Sequence, residues 1–392
     1  MLKTLVGAFK NKDIRKKILY TLMILVIVRV GSLLPIPGVD TEYFSSLLSG
    51  INTGDLSYLS AFTGGSFERM SLFALSITPY ITSSIIMQLL AIAIPKLEEM
   101  QKEGEDGRKK IAAITRYVTI GLALIESIAM AVGFGRSGLI KGYQGFSTLH
   151  YIVSIMVVVA ALTAGSAMLM WLGERITENG VGNGISIVLL INIISGMPSD
   201  FATLYSTFVA PRTIAKGVLA AAIIIAILVV MVVLVCFLQD GERRIPVQYS
   251  QKVSGRKTFG GQSTNIPLKV NTAGVMPVIF ASSLMQFPVI IAQLFGKSYE
   301  WTRYLSSSYW CRVSAPKYSI GLILYVVLLI IFAYFYTSIT FNPIEVADNL
   351  KKAGGVIPGI TPGKSTSDYL NNILNYIVFV GAVGLLIIAL IP

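Results

Sequence analysis

Charge is scarce in this sequence. Asp, Glu, Lys and Arg make up 13% of its 392 residues, against roughly a quarter in an average soluble domain. Histidine occurs once and cysteine twice. His150 has no cysteine or carboxylate cluster near it in the sequence, so it reads as a loop residue rather than a metal ligand. Cys236 falls in an apolar run and Cys311 in a polar loop expected on the opposite side of a membrane, which keeps the two apart. No nucleophile is paired with a base. PGITPGKS (358–365) comes within one residue of a phosphate loop, but Pro358 stands where the first glycine belongs and no strand precedes it. ENGVGNGIS (178–186) is glycine-rich without the dinucleotide spacing. These absences argue against an enzyme, a cofactor and a metal centre.

Apolar surface is what the chain has instead. Hydrophobic residues make up 54% of it, and apolar runs of about 20 residues recur, enough to cross a hydrocarbon core. Spans are expected near 18–36, 72–94, 114–134, 151–172, 184–198, 214–238, 270–295, 319–341 and 371–391. The start, MLKTLVGAFKNKDIRKK, is basic and lacks the short apolar core and cleavage site of a removable signal peptide. The net charge of +12 could suggest nucleic acid, but its distribution points elsewhere. With the N-terminus in the cytoplasm, 22 of the 32 Lys and Arg lie in cytoplasmic segments and nine in external ones. That asymmetry follows the positive-inside rule, and no direct nucleic-acid readout is expected.

Three polar stretches exceed what helix connections require. KLEEMQKEGEDGRKKIAAITR (96–116) reads as a solvated cytoplasmic connection, and residues 239–269 as a basic, hairpin-like loop. Residues 351–368 are full of Pro and Gly turn signals. Several spans are irregular: the run from Gly184 to Pro198 is short, span 2 contains Pro79, and span 7 contains Gly274, Pro277 and Pro288. Such irregularity is tolerated only where backbone is buried or faces a cavity. LSAFTGGSFERMSLFALS (59–76) fits either a re-entrant segment packed inside the protein or an interfacial helix.

Ionisable residues within spans are essentially Arg29, expected to snorkel outward, and Glu126, which needs polar partners. SITPYITSSIIMQ (76–88) places Ile77, Ile81 and Ile85 on one helix face among hydroxyls. With Ile185, Leu189 and Ile279 these could form an apolar constriction, or could be ordinary packing.

ITPYITSSIIMQLL, KEGEDGRKKIAAITRY, MLMWLGERITENGVGNGISI, RRIPVQYS, IPLKVNTAGVMPVIFASS and FNPIEVADNLKKAGGVIPGITPGKST occur in this order. Together they resemble the SecY family, the channel subunits of the bacterial protein translocon. The resemblance implies an all-α, polytopic transmembrane bundle of two pseudo-symmetric halves, residues 1–210 and 211–392, around a central pore. It implies a channel in the plasma membrane that passes unfolded secretory chains and releases transmembrane segments into lipid, without catalysis or cofactor. Ile77, Ile81, Ile185, Leu189 and Ile279 would form the pore ring. Thr82, Ile85, Gln88, Glu126, Asn271 and Phe287 would form a lateral gate, with Thr82, Glu126 and Asn271 as its polar cluster. Residues 57–70, including Phe62, Gly64, Gly65, Phe67, Glu68 and Arg69, would be a plug.

Arg243, Arg244, Lys351, Lys352 and Lys364 would make the cytoplasmic docking surface. Implied partners are SecE, SecG, the SecA motor ATPase, the ribosome, signal peptides, nascent chains and membrane lipid. Two departures stand out. Thr361 replaces the arginine usual in the family. The chain also ends at LLIIALIP, where the family continues into a tenth span, and truncation is the expectation. The alternative function is secondary transport of a small solute, for which paired intramembrane charges are scarce.

Overall fold

A computed structural model describes residues 10–50, 63–135, 140, 148–211, 214–249, 252–254, 257–259, 263–294, 300–305, 310 and 316–390. Two compact units emerge: residues 1–206 with 287–309, and residues 207–286 with 310–392. Phe62 and Cys311 lie outside the described residues, as does the side chain of Phe287.

The first unit is built from α1 (Lys12–Leu33), α2 (Thr41–Gly50), α3 (Thr78–Ala93), α4 (Pro95–Lys102), α5 (Glu105–Phe134), α6 (Thr148–Asn179) and α7 (Gly184–Leu204). Asn11 caps α1 by accepting from the Asp13 amide, and Asn183 caps α7 by accepting from Ile185 and Ser186. Between α3 and α4 the chain turns through 106°. Pro95 explains the place, because it forces Ile94 into extended backbone and opens the next helix at its first turn.

Two cores form among the described residues of this unit. One gathers Phe44 with Phe67, Met70 and Ala74 against Met130 of α5 and Leu162 of α6. Phe44 meets Phe67 and Phe134 edge-on, with ring centroids 5.8 and 5.1 Å apart. The other gathers Ile24 and Val28 of α1, Phe73, Ile77, Leu169, Leu172 and Ile176 of α6, and Val188 of α7.

The second unit starts with α8 (Ile214–Asp240), whose side chains from Ile223 to Phe237 are apolar and largely exposed on every side. A helix apolar all round must be covered by protein or lipid, and here protein does not cover it. Strands β1 (Glu242–Tyr249), β2 (Lys252–Ser254), β3 (Lys257–Phe259) and β4 (Ser263–Lys269) follow. After them come α9 (Met276–Leu294), α10 (Ile320–Thr340), α11 (Pro343–Lys352), β5 (Gly355–Val356) and α12 (Lys364–Leu390). The boundary between units falls within α9, after Gln286. The main sheet has the order β4-β1-β5, antiparallel throughout. Its register runs from Glu242 opposite Lys269 to Gln248 opposite Ser263, with Gln248 also opposite Val356. Ile245, Val247 and Leu268 point into a small core with Leu350, Ile357 and Leu370, the period-two alternation of a half-covered strand.

Each expected span contains a helix, and the chain is a multi-pass membrane protein. Among the described residues six helices are long and apolar enough to cross by themselves, and the count is seven if the bent α3–α4 pair is one span. Two expectations are corrected. The span beginning at Gly184 is not short: its helix passes through Pro198 to Leu204 and continues as a π turn to Val209. Pro198 lies inside this helix and does not end it. Span 2 starts late, since residues 72–77 form turns and α3 begins only at Thr78, with Pro79 in its first turn.

A side chain at Gly165 of α6 would collide with the Leu72 carbonyl, whereas Gly121 of α5 has open space beside it. Gly165→Val should therefore destabilise the purified protein by about 1–3 kcal/mol or more. Gly121→Ala should not lower its thermal unfolding midpoint in detergent.

Candidate functional site

Segment 63–77 is where the first unit departs most from regular structure. It runs as successive turns, yet Thr63, Ser66, Phe67, Met70, Ser71, Phe73, Ala74, Ser76 and Ile77 are all buried. Its backbone is tied to the chain leaving α1: the Leu72 amide donates to Leu34 and the Ile36 amide to Met70, at 2.9 and 3.1 Å. Of the expected plug residues, Gly64 and Gly65 are half-buried, Phe67 is locked into the aromatic core, and Glu68 and Arg69 are exposed. Of the two alternatives read from the sequence, packing inside the protein describes 63–77.

Ile77 ends this segment, 1% exposed, in the second core. Ile81, one turn into α3, and Ile185, in the first turn of α7, pack against the same cluster. Three of the expected ring residues thus converge from two helices. Leu189 follows Ile185 by one turn and is half-buried. Ile279 belongs to the second unit, buried near the start of α9. There its neighbour Phe280 fixes α9 against α10, meeting Phe332 and Tyr336 edge-on at 5.7 and 6.2 Å.

The expected gate residues spread over both units. In the first, Ile85 is buried, while Thr82 donates to the Thr78 carbonyl one turn back, at 3.1 Å. Gln88 donates from Nε2 to Ser84 Oγ at 3.3 Å, and its buried Oε1 has no partner among the described residues. Glu126 is half-buried on α5. The hydrogen bonds that join α3 to α5 run through Ser83, which contacts the Thr119 hydroxyl and the Thr115 carbonyl. Ser127 and Thr163 then join α5 to α6 at 2.9 Å. Sequence reasoning grouped the hydroxyls of 76–88 together and missed that Ser83 faces α5 while Thr82 bonds within α3. The 100° step between neighbouring helical residues was the available signal.

In the second unit, Asn271 lies in the turn between β4 and α9, where its carbonyl accepts from Gly274. Gly381 of α12 seats this turn, because a side chain there would meet the Val270 carbonyl.

The expected docking residues all belong to this second unit and are exposed: Arg243 and Arg244 on β1, Lys351 and Lys352 closing α11, and Lys364 opening α12. The β1–β5 pairing brings both stretches into one sheet. Arg244 pairs with Glu242 of its own strand at 2.6 Å. Thr361 carries no charge and serves the loop locally: its hydroxyl donates to Ser365 Oγ and its backbone carbonyl accepts from the Thr366 hydroxyl, both at 2.9 Å.

Arg29 does not simply reach outward, as the sequence suggested. Its Nη1 donates to Ser195 Oγ on α7 at 2.8 Å. Among the described residues no group of His, Cys, Asp and Glu gathers as a metal site. The site offers aliphatic side chains, hydroxyls and an enclosed segment.

Because Ser83 bridges two helices and Thr82 bonds within one, their removal should differ. Ser83→Ala should cost roughly 0.6–1.7 kcal/mol of stability in detergent. Thr82→Ala should stay within about 0.5 kcal/mol of the parent in the same unfolding measurement.

Comparison with known proteins gives one result throughout. The SecY family model matches residues 71–392. The protein translocase subunit SecY of Streptomyces scabiei is 42% identical over 398 residues, covering 100% of this chain and 89% of that one. Its counterpart in Corynebacterium glutamicum is 39% identical over 400 residues, covering 100% and 88%. A solved protein-conducting channel shares the fold at TM-score 0.64 and 19% identity, over 95% of this chain and 84% of that one. Sec61 from the canine ribosome–channel complex of the endoplasmic reticulum does so at TM-score 0.61 and 17% identity, over 95% and 84%. By family model and by full-length identity to its relatives, the chain belongs to the SecY family.

Proposed function

We propose that this chain is a protein-conducting channel that passes unfolded secretory polypeptides across the plasma membrane and releases apolar helices sideways into lipid. The observation that carries the reading is the buried, non-helical segment 63–77 ending directly in the aliphatic cluster of Ile77, Ile81 and Ile185. Backbone of that kind persists at membrane depth only when protein covers it or it borders a cavity. A movable stopper over an apolar seal meets that condition.

In this mechanism Ile77, Ile81, Ile185, Leu189 and Ile279 form a ring. Branched aliphatic side chains repel water and ions by dewetting, yet they yield to a polypeptide. Residues 57–70 plug the external side at rest. The two halves, 1–210 and 211–392, part along a lateral gate of Thr82, Ile85, Gln88, Glu126, Asn271 and Phe287. A signal helix leaves water for lipid by entering this gate, and its apolar surface drives opening at about 25 cal/mol per Å². Each interhelical polar contact in this gate resists with about 0.6–2 kcal/mol, little enough for a signal helix to overcome, and Thr82, which donates within α3, adds little.

No chemistry is performed by the channel itself; a motor or a translating ribosome supplies the energy. Arg243, Arg244, Lys351, Lys352 and Lys364 offer cationic docking for SecA or the ribosome on the cytoplasmic side, the side that also holds the N-terminus. Thr361 leaves this surface without the arginine usual in the family. SecE and SecG complete the complex. A ribosome partner is supported by the canine Sec61 channel, which shares this fold and is seen in a ribosome complex.

Two experiments test the reading. A photoreactive residue at Ile81 or at Ile279 should crosslink to a secretory chain stalled in transit, and absence of crosslinks at both would overturn the channel assignment. Asn271→Leu should raise the export of precursors with weakened signals relative to intact ones. An unchanged ratio would remove Asn271 from the gate.

A further inference from the structure

We propose that Asn192 and Ser195, one turn apart on α7, clamp both ends of segment 63–77 and thereby set how readily it leaves its seat. The inference rests on the channel reading above and assigns residues that the family motifs did not point to.

The far end of the segment is held by Asn192. This side chain is 2% exposed, and its Nδ2 donates to Ser76 Oγ at 3.1 Å. Ser76 is itself 3% exposed, and its carbonyl accepts from Ser166 of α6 at 3.4 Å. The near end is held by shape. Gly64 has a φ of +63°, and a Cβ there would fall 2.6 Å from Ser195 Oγ and 2.7 Å from the Asn192 carbonyl oxygen. These two atoms are joined, since Ser195 Oγ donates to that carbonyl at 2.7 Å. Arg29 steadies the pair from α1 by donating to the same Oγ at 2.8 Å. Two residues of one helix thus touch the segment at positions twelve apart in sequence.

The seat also stores opposing costs, which makes it a latch rather than inert packing. Ser76 adopts a φ of +52°, a left-handed conformation that a non-glycine residue keeps only when its surroundings hold it there. Asn192 Oδ1 is buried without a hydrogen-bond partner among the described residues, so this acceptor is desolvated with nothing in return. Both costs are relieved when the segment withdraws and water enters. A few polar bonds therefore balance strain and desolvation, and loss of one bond tips the balance outward.

The test uses the full-length chain as the sole channel subunit in cells. Its readout is export of a secreted reporter whose signal sequence has a charge in its apolar core, divided by export of the same reporter with an intact signal. Asn192→Leu removes the bond to Ser76 together with the desolvated Oδ1, so it should raise this ratio by about two- to threefold, less than the roughly fivefold weight of one net hydrogen bond. Ser76→Ala removes the acceptor from the other side and should act in the same direction. If Asn192→Leu does not accumulate in the membrane, Ser76→Ala decides alone. Ratios at the parental level in variants that accumulate normally overturn the clamp. Deletion of residues 63–69 separates the levels of failure. If the deletion raises the ratio and the substitutions do not, only the clamp falls. If the deletion also leaves the ratio unchanged, the plug reading falls and takes the clamp with it.

Discussion

An amide or carbonyl left unpaired in hydrocarbon costs several kcal/mol, and the first unit is arranged around one answer to that constraint. Fifteen residues, 63–77, run through it without regular structure. They are accommodated because the chain leaving α1 pairs with them, Phe44 packs edge-on against Phe67, and α6 and α7 present Ser166 and Asn192 to Ser76. Its own turns do the rest, with the amides of Ser66, Met70, Ser71, Ala74 and Ser76 donating to carbonyls inside the segment.

The same constraint explains the division of labour among hydroxyls. Most return their proton to a carbonyl one turn back, as Thr82, Thr115 and Thr163 do. A few reach across to another helix, and these mark lasting contacts: Ser83 to α5 and Ser127 to α6. Aliphatic side chains do the remaining work, with Ile77, Ile81 and Ile185 gathered from α3 and α7. Apolar groups attract no water and hold each other weakly, as the proposed ring requires.

Much of the architecture was legible because hydrophobic runs and basic loops are local properties. Each expected span holds a helix, and the alternation in RIPVQYS is the outward–inward pattern of β1. Length was misjudged where proline was read as a stop: Pro198 sits inside α7, whose backbone tolerates it. The partners of Arg29, Ser83 and Asn192 could not be read, since they lie 166, 36 and 116 residues away. Segment 63–77 stayed ambiguous because its polarity described a mixed environment without saying which neighbours made it. Family resemblance named the seal and gate residues, but spacing alone left the isoleucines as possible packing.

The pairing of β1 with β5 has a mechanical consequence. The basic stretches near Arg243 and Lys351 are separated by about a hundred positions in the chain, yet one sheet joins them, so neither can be pulled without the other. That sheet runs from β4 directly into Val270 and Asn271, with the Val270 amide held by Gly241 and its carbonyl lodged against Gly381 of α12. Force applied to the exposed plate by any bulky machine therefore has a short, stiff lever to follow, and the lever's fulcrum is a glycine.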